Sequence, residues 1–184
     1  MQFNKDFKEV IQDNYPWLCI FSLSDVVYSE LDKYSRIIFY KLFNEPINNL
    51  PSHITHIEFG ESFNHPIDNL PINLIHLEFG ICFNHPIDNL PPKLKYLSIG
   101  AHFNYSMDNL PPNLEKLYIH SIHNGYSIDN LPDTIIKLYL GYNFSNRIYK
   151  LPTSLEKLIM WKVYPHLDEL KLLLTPKIEL QLIE

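Results

Sequence analysis

Apolar residues return along this chain every twenty positions, in the same internal order each time. The stretch LPPKLKYLSIGAHFNYSMDN places them at Leu90, Leu94, Leu97, Ile99, Phe103 and Met107. The stretch before it has Leu70, Leu74, Leu77, Phe79, Phe83 and Ile87. The one after it has Leu110, Leu114, Leu117 and Ile119, then Ile122 or His123, then Ile128. Leu-Pro pairs mark the phase at Leu50, Leu70, Leu90, Leu110, Leu131 and Leu151, with intervals of 20, 20, 20, 21 and 20 residues. A fixed period in the twenties is the signature of a solenoid, a stack of similar coils.

Within each coil the last apolar pair alternates with polar residues, as in a half-buried strand. Leu97 and Ile99 are thus expected to point inward, and Tyr96 and Ser98 outward. The phase predicts eight strands, near residues 36–40, 56–60, 76–80, 96–100, 116–120, 137–141, 157–161 and 177–182. The apolar run from Trp17 to Phe21 offers one more. A single coil cannot hold itself together. Each buried aliphatic side chain contributes about 1.5–3 kcal/mol, whereas each ordered residue costs about 1–2 kcal/mol in backbone entropy. Stacking supplies the difference, because neighbours cover each coil's apolar edges. The strands then run as one parallel ladder.

Outside the repeat, residues 6–14 and 24–33 read as short helices, the second capped by Ser24 or Asp25 with Val26, Val27 and Leu31 as its stripe. Pro165 opens a helix expected over His166 to Leu174, with Leu167, Leu170 and Leu174 on one side. The fold class is therefore an α/β solenoid of about 20-residue coils, with one parallel β-sheet of about eight strands. A helical N-terminal cap spans 1–33, the repeats span 34–161, and a short helix–strand cap spans 162–184. Proline after leucine fixes φ and lacks a donor, which suits a corner. Gly60, Gly80, Gly100 and Gly141 follow the strands, where permissive φ is expected to matter. Asn44, Asn64, Asn84, Asn104 and Asn124 recur at one phase and predict a ladder of buried asparagines bonded to the turning backbone of adjacent coils.

Composition narrows the function classes. Hydrophobic residues make up 46% of the 184-residue chain and charged ones 20%, which excludes a disordered chain. The net charge of −6 argues against general phosphate binding. Two separated cysteines, Cys19 and Cys82, make no disulfide framework and suit a reducing compartment. The start, MQFNKD, lacks a basic segment followed by an apolar run, so no signal peptide is expected. No apolar stretch reaches the roughly 18–20 residues of a membrane span. A cytoplasmic protein follows as the expectation, without membrane or nucleic-acid partners and without a cofactor.

The L-x-x-L-x-L core resembles the strand segment of a leucine-rich repeat. Phe-Asn-His-Pro-Ile at 63–67 and 83–87, each followed by Asp-Asn-Leu-Pro, resembles the FNIP repeat, as does Phe-Asn-Glu-Pro-Ile at 43–47. The likeness covers roughly 34–161 and loosens at 103–107 and 144–148. FNIP repeats occur mainly in social amoebae and giant amoeba-infecting viruses, and the resemblance implies a binding module. Many family members carry an N-terminal F-box, which implies a ubiquitin-ligase substrate adaptor. Here about 33 residues precede the repeats, fewer than an F-box usually takes, and no clear F-box motif stands in them.

Residues recurring in every coil are scaffold; specificity belongs where the coils differ. One outward row reads Arg36, His56, His76, Tyr96, Lys116, Lys137, Lys157, and the next Ile38, Glu58, Glu78, Ser98, Tyr118, Tyr139, Ile159. With Trp161, the residues Tyr96, Lys116, Tyr118, Lys137, Tyr139, Lys157 and Ile159 form the expected docking surface for a protein partner. The alternative is a solvated face on a structural repeat protein with no ligand of its own. His56, Glu58, His76 and Glu78 carry imidazoles and carboxylates, which ligate zinc. Cross-strand His–Glu hydrogen bonds explain the same set, and a flat arrangement of all four suits tetrahedral zinc poorly. Asp68, Asp88, Asp108 and Asp129 form a second row, read as Asx-turns rather than calcium ligands because the turns lack glycine. The lysines beside Tyr118 and Tyr139 could stack single-stranded nucleic acid, against which stand Glu115, Glu156 and the acidic total. No P-loop, dinucleotide fingerprint, G-x-S-x-G or H-E-x-x-H is present. Cys82 and His85 are close in sequence, but Cys82 occupies the place of Ser62 and His102 and reads as a loop thiol. An enzyme is not expected.

Overall fold

The computed structural model describes residues 17–22, 31–120 and 127–184. The helix expected over 6–14, positions 24–30 of the one expected over 24–33 with its cap at Ser24 or Asp25, and Ile122, His123 and Asn124 lie outside the described residues. Leu31, the last position of the second stripe, is fully buried.

The strands are β1 (Trp17–Ile20), β2 (Arg36–Phe39), β3 (His56–Glu58), β4 (His76–Glu78), β5 (Tyr96–Ile99), β6 (Lys116–Ile119), β7 (Lys137–Leu140), β8 (Lys157–Trp161) and β9 (Glu179–Ile183). All nine form one sheet in chain order. Every pairing is parallel, and one register line runs Leu18, Ile37, Ile57, Leu77, Leu97, Leu117, Leu138, Leu158, Leu180. The apolar run at Trp17 is thus a true strand. The last strand begins at Glu179 rather than Lys177, because Ile178 N–H donates to Thr175 O (3.0 Å) and closes a turn there. The C-terminal helix α1 (Leu167–Lys171) is shorter than the expected 166–174. Beyond it, Leu173 and Leu174 bond three residues back, to Leu170 and Lys171, which tightens the chain out of α geometry.

Two turns per coil bend the chain around the core. At the first, the proline carbonyl accepts from the residue three ahead, as in Leu74 N–H to Pro71 O (3.0 Å) and Leu94 N–H to Pro91 O (3.1 Å). Proline lacks a donor, and this position asks only for its acceptor. At the second, Phe144 N–H reaches Gly141 O (3.1 Å). The glycines there do not serve the φ role expected of them: none of the described glycines has positive φ. Their role is close approach. A Cβ on Gly80 would strike the Gly60 carbonyl oxygen and stand 2.6 Å from Glu61 Cα.

Inside, Phe39, Phe59 and Phe79 stack at centroid separations of 4.9 and 5.4 Å. A second column, Phe43, Phe63, Phe83 and Phe103, repeats at 6.1, 6.2 and 6.4 Å. Cross-contacts of 3.9 Å (Phe59–Phe63) and 3.7 Å (Phe79–Phe83) lock the columns together.

The asparagine ladder exists, but it is not buried. Asn64 N–H donates to Asn44 Oδ1 (2.9 Å), Asn84 N–H to Asn64 Oδ1 (2.9 Å) and Asn104 N–H to Asn84 Oδ1 (3.0 Å). Asn44, Asn64 and Asn104 are exposed and Asn84 half-buried, because the ladder follows the outer edge of the turn while the preceding phenylalanine takes the interior. His65 and His85 extend it, their Nε2 atoms 3.1 Å from Asn44 O and Asn64 O. Water can replace an exposed bond, so Asn84→Ala should destabilise by only about 0.5–1.5 kcal/mol in chemical denaturation. A loss of about 3 kcal/mol or more would show that the ladder acts as a buried network.

The strand-lined face as candidate functional site

Because side chains alternate along each strand, the register that buries the leucine line turns two other rows outward, as expected. The first row runs from Trp17 and Arg36 through His56, His76, Tyr96, Lys116, Lys137 and Lys157 to Glu179. The second holds Glu58, Glu78, Ser98, Tyr118, Tyr139 and Ile159. Ser98 points outward yet is only 3% exposed, because the large flanking rings of Tyr96 and Tyr118 close over it.

Adjacent strands lie about 4.8 Å apart, so rings in neighbouring coils meet. His56 stacks on His76 (5.4 Å, 21°) and His76 on Tyr96 (4.1 Å, 9°). Tyr96 meets Tyr118 at 5.2 Å, and Tyr118 meets Tyr139 at 6.1 Å. Trp161 Nε1–H then donates to the Tyr139 hydroxyl (3.4 Å), and Tyr142 packs edge-on against Trp161 (5.1 Å). At the other end Trp17 lies edge-on to His56 (5.9 Å), with Arg36 over its face (5.5 Å). An unbroken aromatic line thus crosses the sheet diagonally. The two rows taken separately conceal it; rings at successive spacings of 20, 20, 22, 21 and 22 residues from His56 to Trp161 were the available signal.

The lysines differ from one another. Lys116 is exposed. Lys137 is half-buried with Nζ 5.4 Å above the Tyr118 ring. Lys157 Nζ is held by Glu179 Oε1 at 2.7 Å. Ile159 and Trp161 are half-buried beside them.

At the N-terminal half the face is polar and partly desolvated. Burial, followed by repulsion from Glu78, pushes the Glu58 carboxyl up to about 7. Burial raises Glu78 as well, against a hydrogen bond from Tyr96 that favours its ionised form. His76 is brought down to about 4 by burial first, then by His56, Arg36 and Lys116. It is therefore a neutral imidazole at neutral pH, and its 3.8 Å approach to Glu58 Oε1 is no ion pair. Its Nε2 is closed to solvent and makes no hydrogen bond. His56 departs from the expected group of four: its Nδ1 lies 2.8 Å from Thr55 Oγ1.

The aspartates act between coils. Asp88 Oδ1 accepts from Asn109 Nδ2 (2.8 Å), Asp108 Oδ1 from Asn130 Nδ2 (3.0 Å), and Asp129 Oδ1 from Tyr149 and Lys150 N–H (2.8 and 3.0 Å). These bonds clamp each coil to the next, while within their own coils Asp108 Oδ2 and Asp129 Oδ2 also accept from the Ser106 and Ser127 hydroxyls. Both cysteines are free thiols, Cys19 exposed and Cys82 half-buried. Among the described residues, no helix is long and apolar enough to cross a membrane.

A stack of coils of about twenty residues, each giving one short strand to a single parallel sheet, defines a leucine-rich-repeat-like β-solenoid. The family model for the FNIP repeat matches residues 36–82 and 83–121, so this chain carries FNIP repeats. Among solved structures it is similar to CroV588, described as a novel circular LRR protein, with 30% identity and a TM-score of 0.58. That match covers 74% of this chain and 26% of the other, so the chain spans about a quarter of that protein's length. No curated protein matches the chain. Solenoids of this kind commonly serve protein interaction, and their families are generally non-enzymatic.

Proposed function

We propose that the strand-lined face docks an extended segment of a protein partner bearing acidic or aromatic side chains. The observation behind this reading is the continuous line Tyr96, Tyr118, Tyr139 and Trp161, half-buried and opening onto solvent, with the exposed Lys116 beside it. Half-buried rings are already ordered by their neighbours, so a partner that covers them pays little further side-chain entropy. Lys116 steers acidic groups toward them. In this reading residues 34–161 are the binding module and 162–184 close its end. The competing reading, a scaffold without a ligand, draws on Lys157, whose charge is already matched by Glu179.

Peptides selected from a random library on the immobilised chain supply the test. Tyr118→Ala with Tyr139→Ala should weaken the selected peptides by about 30-fold, the loss of two kcal/mol expected of a central anchor. Lys116→Glu should slow association of the acidic ones. His65→Ala, on the turn ladder, should change neither. Equal affinities for the tyrosine variant and the wild type would move binding off the strand face.

A further inference from the structure

We propose that Glu58, His76 and Glu78 form a tripod for a divalent transition-metal ion, with Zn2+ the best fit, at the N-terminal half of the strand-lined face. The three residues occupy two adjacent strands, and their ligand atoms all lie within 4.8 Å of one another. Two atoms bound tetrahedrally at zinc–nitrogen and zinc–oxygen lengths stand about 3.4 Å apart. His76 Nε2 and Glu58 Oε1 are already at 3.8 Å, so a small contraction seats an ion between them.

His76 supplies the decisive observation. Its Nε2 is shut off from solvent and has no hydrogen-bond partner. Such atoms are rare in folded proteins. The Glu58 carboxyl is too distant to supply a hydrogen bond directly, whereas a cation satisfies the nitrogen lone pair and the two adjacent carboxylates together.

The flatness that weighs against a four-residue site does not apply to three. His56 is engaged with Thr55, which leaves a tripod of three half-buried donors on the sheet face. Water or a donor from a bound partner completes the shell. Surrounding contacts aim the donors. The His76 ring is held between His56 (5.4 Å) and Tyr96 (4.1 Å). Arg36 and Lys116 act against a cation through their effect on His76, but the charge neighbour that governs Glu58 is Glu78, which favours one. A single imidazole with two carboxylates suits zinc, which tolerates low coordination, better than the oxygen-seeking Ca2+ or Mg2+.

The full chain, stripped of metal by a chelator, is titrated with Zn2+ in a calorimeter and in competition with a fluorescent zinc indicator. One equivalent should bind. His76→Ala, and separately Glu58→Gln and Glu78→Gln, should each weaken binding by more than about 100-fold, beyond what loss of an outer-shell contact produces. His56→Ala should change it only a few-fold. Circular dichroism checks that each variant is folded. For any that is not, nitrogen NMR of the wild-type chain decides: Zn2+ should move the His76 Nε2 resonance and leave His65 and His85 in place. Absence of stoichiometric binding, binding unchanged in the His76 and Glu58 variants, or an unmoved His76 Nε2 overturns the proposal and leaves a water bridging these groups.

Discussion

Phe83→Ala should lower the stability of the solenoid by about 3–5 kcal/mol, the range for emptying a buried aromatic site. Phe83 is fully buried and meets four rings: Phe79 at 3.7 Å, His85 at 6.1 Å, Phe63 at 6.2 Å and Phe103 at 6.4 Å. The cavity cannot collapse by sliding coils together, because backbone hydrogen bonds between coils, such as Cys82 N–H to Glu61 O (2.9 Å), already set their spacing. In a repeat array stability is a sum of coil terms and nearest-neighbour terms. A defect in a central coil therefore also uncouples the two ends. The two tryptophans of the chain, Trp17 in β1 and Trp161 in β8, report on those ends separately. Their fluorescence should show a broadened or split denaturation transition in Phe83→Ala. Phe83→Leu should recover most of the loss. A midpoint shift equivalent to under about 1 kcal/mol would mean the phenylalanine columns are not what binds coil to coil.

Gly80→Ala should be at least as damaging, although it adds one methyl group and creates no cavity. The new Cβ would meet the Gly60 carbonyl oxygen and the Glu61 Cα, both backbone, so no rotamer change relieves the clash. Overpacking a core typically costs about 1–3 kcal/mol. A rigid backbone contact belongs at or above the top of that range. Gly141→Ala makes the comparison internal. There the nearest atoms are 3.0–3.2 Å from the added Cβ, so its penalty should be clearly smaller. Thermal and chemical denaturation of the two variants side by side provide the measurement. Equal effects at Gly80 and Gly141 would mean that something other than coil-to-coil approach selects glycine.

The sequence alone determined the coil length, the inward residues and the parallel register. Side chains alternate with period two along a strand, and coils of nearly equal length stack in phase, so burying Leu77 and Phe79 leaves a single in-register pairing with Leu97 and Ile99. Even the 21-residue interval was legible: it pairs Leu117 with Leu138 instead of with residue 137. What the tertiary structure decided depends on the space between coils. Gly80 is required by the Gly60 carbonyl one coil away, and its own φ is ordinary. The asparagines occur where a ladder was expected, but whether a ladder is buried depends on which edge of the turn it follows. Lys157 read as an open charge until β9 placed Glu179 beside it. The aromatic line and the solitary Nε2 of His76 arise the same way. A linear sequence shows which residues recur; only the stacked coils show which atoms come within a few ångströms of each other, and steric, hydrogen-bonding and electrostatic energies are set at that distance.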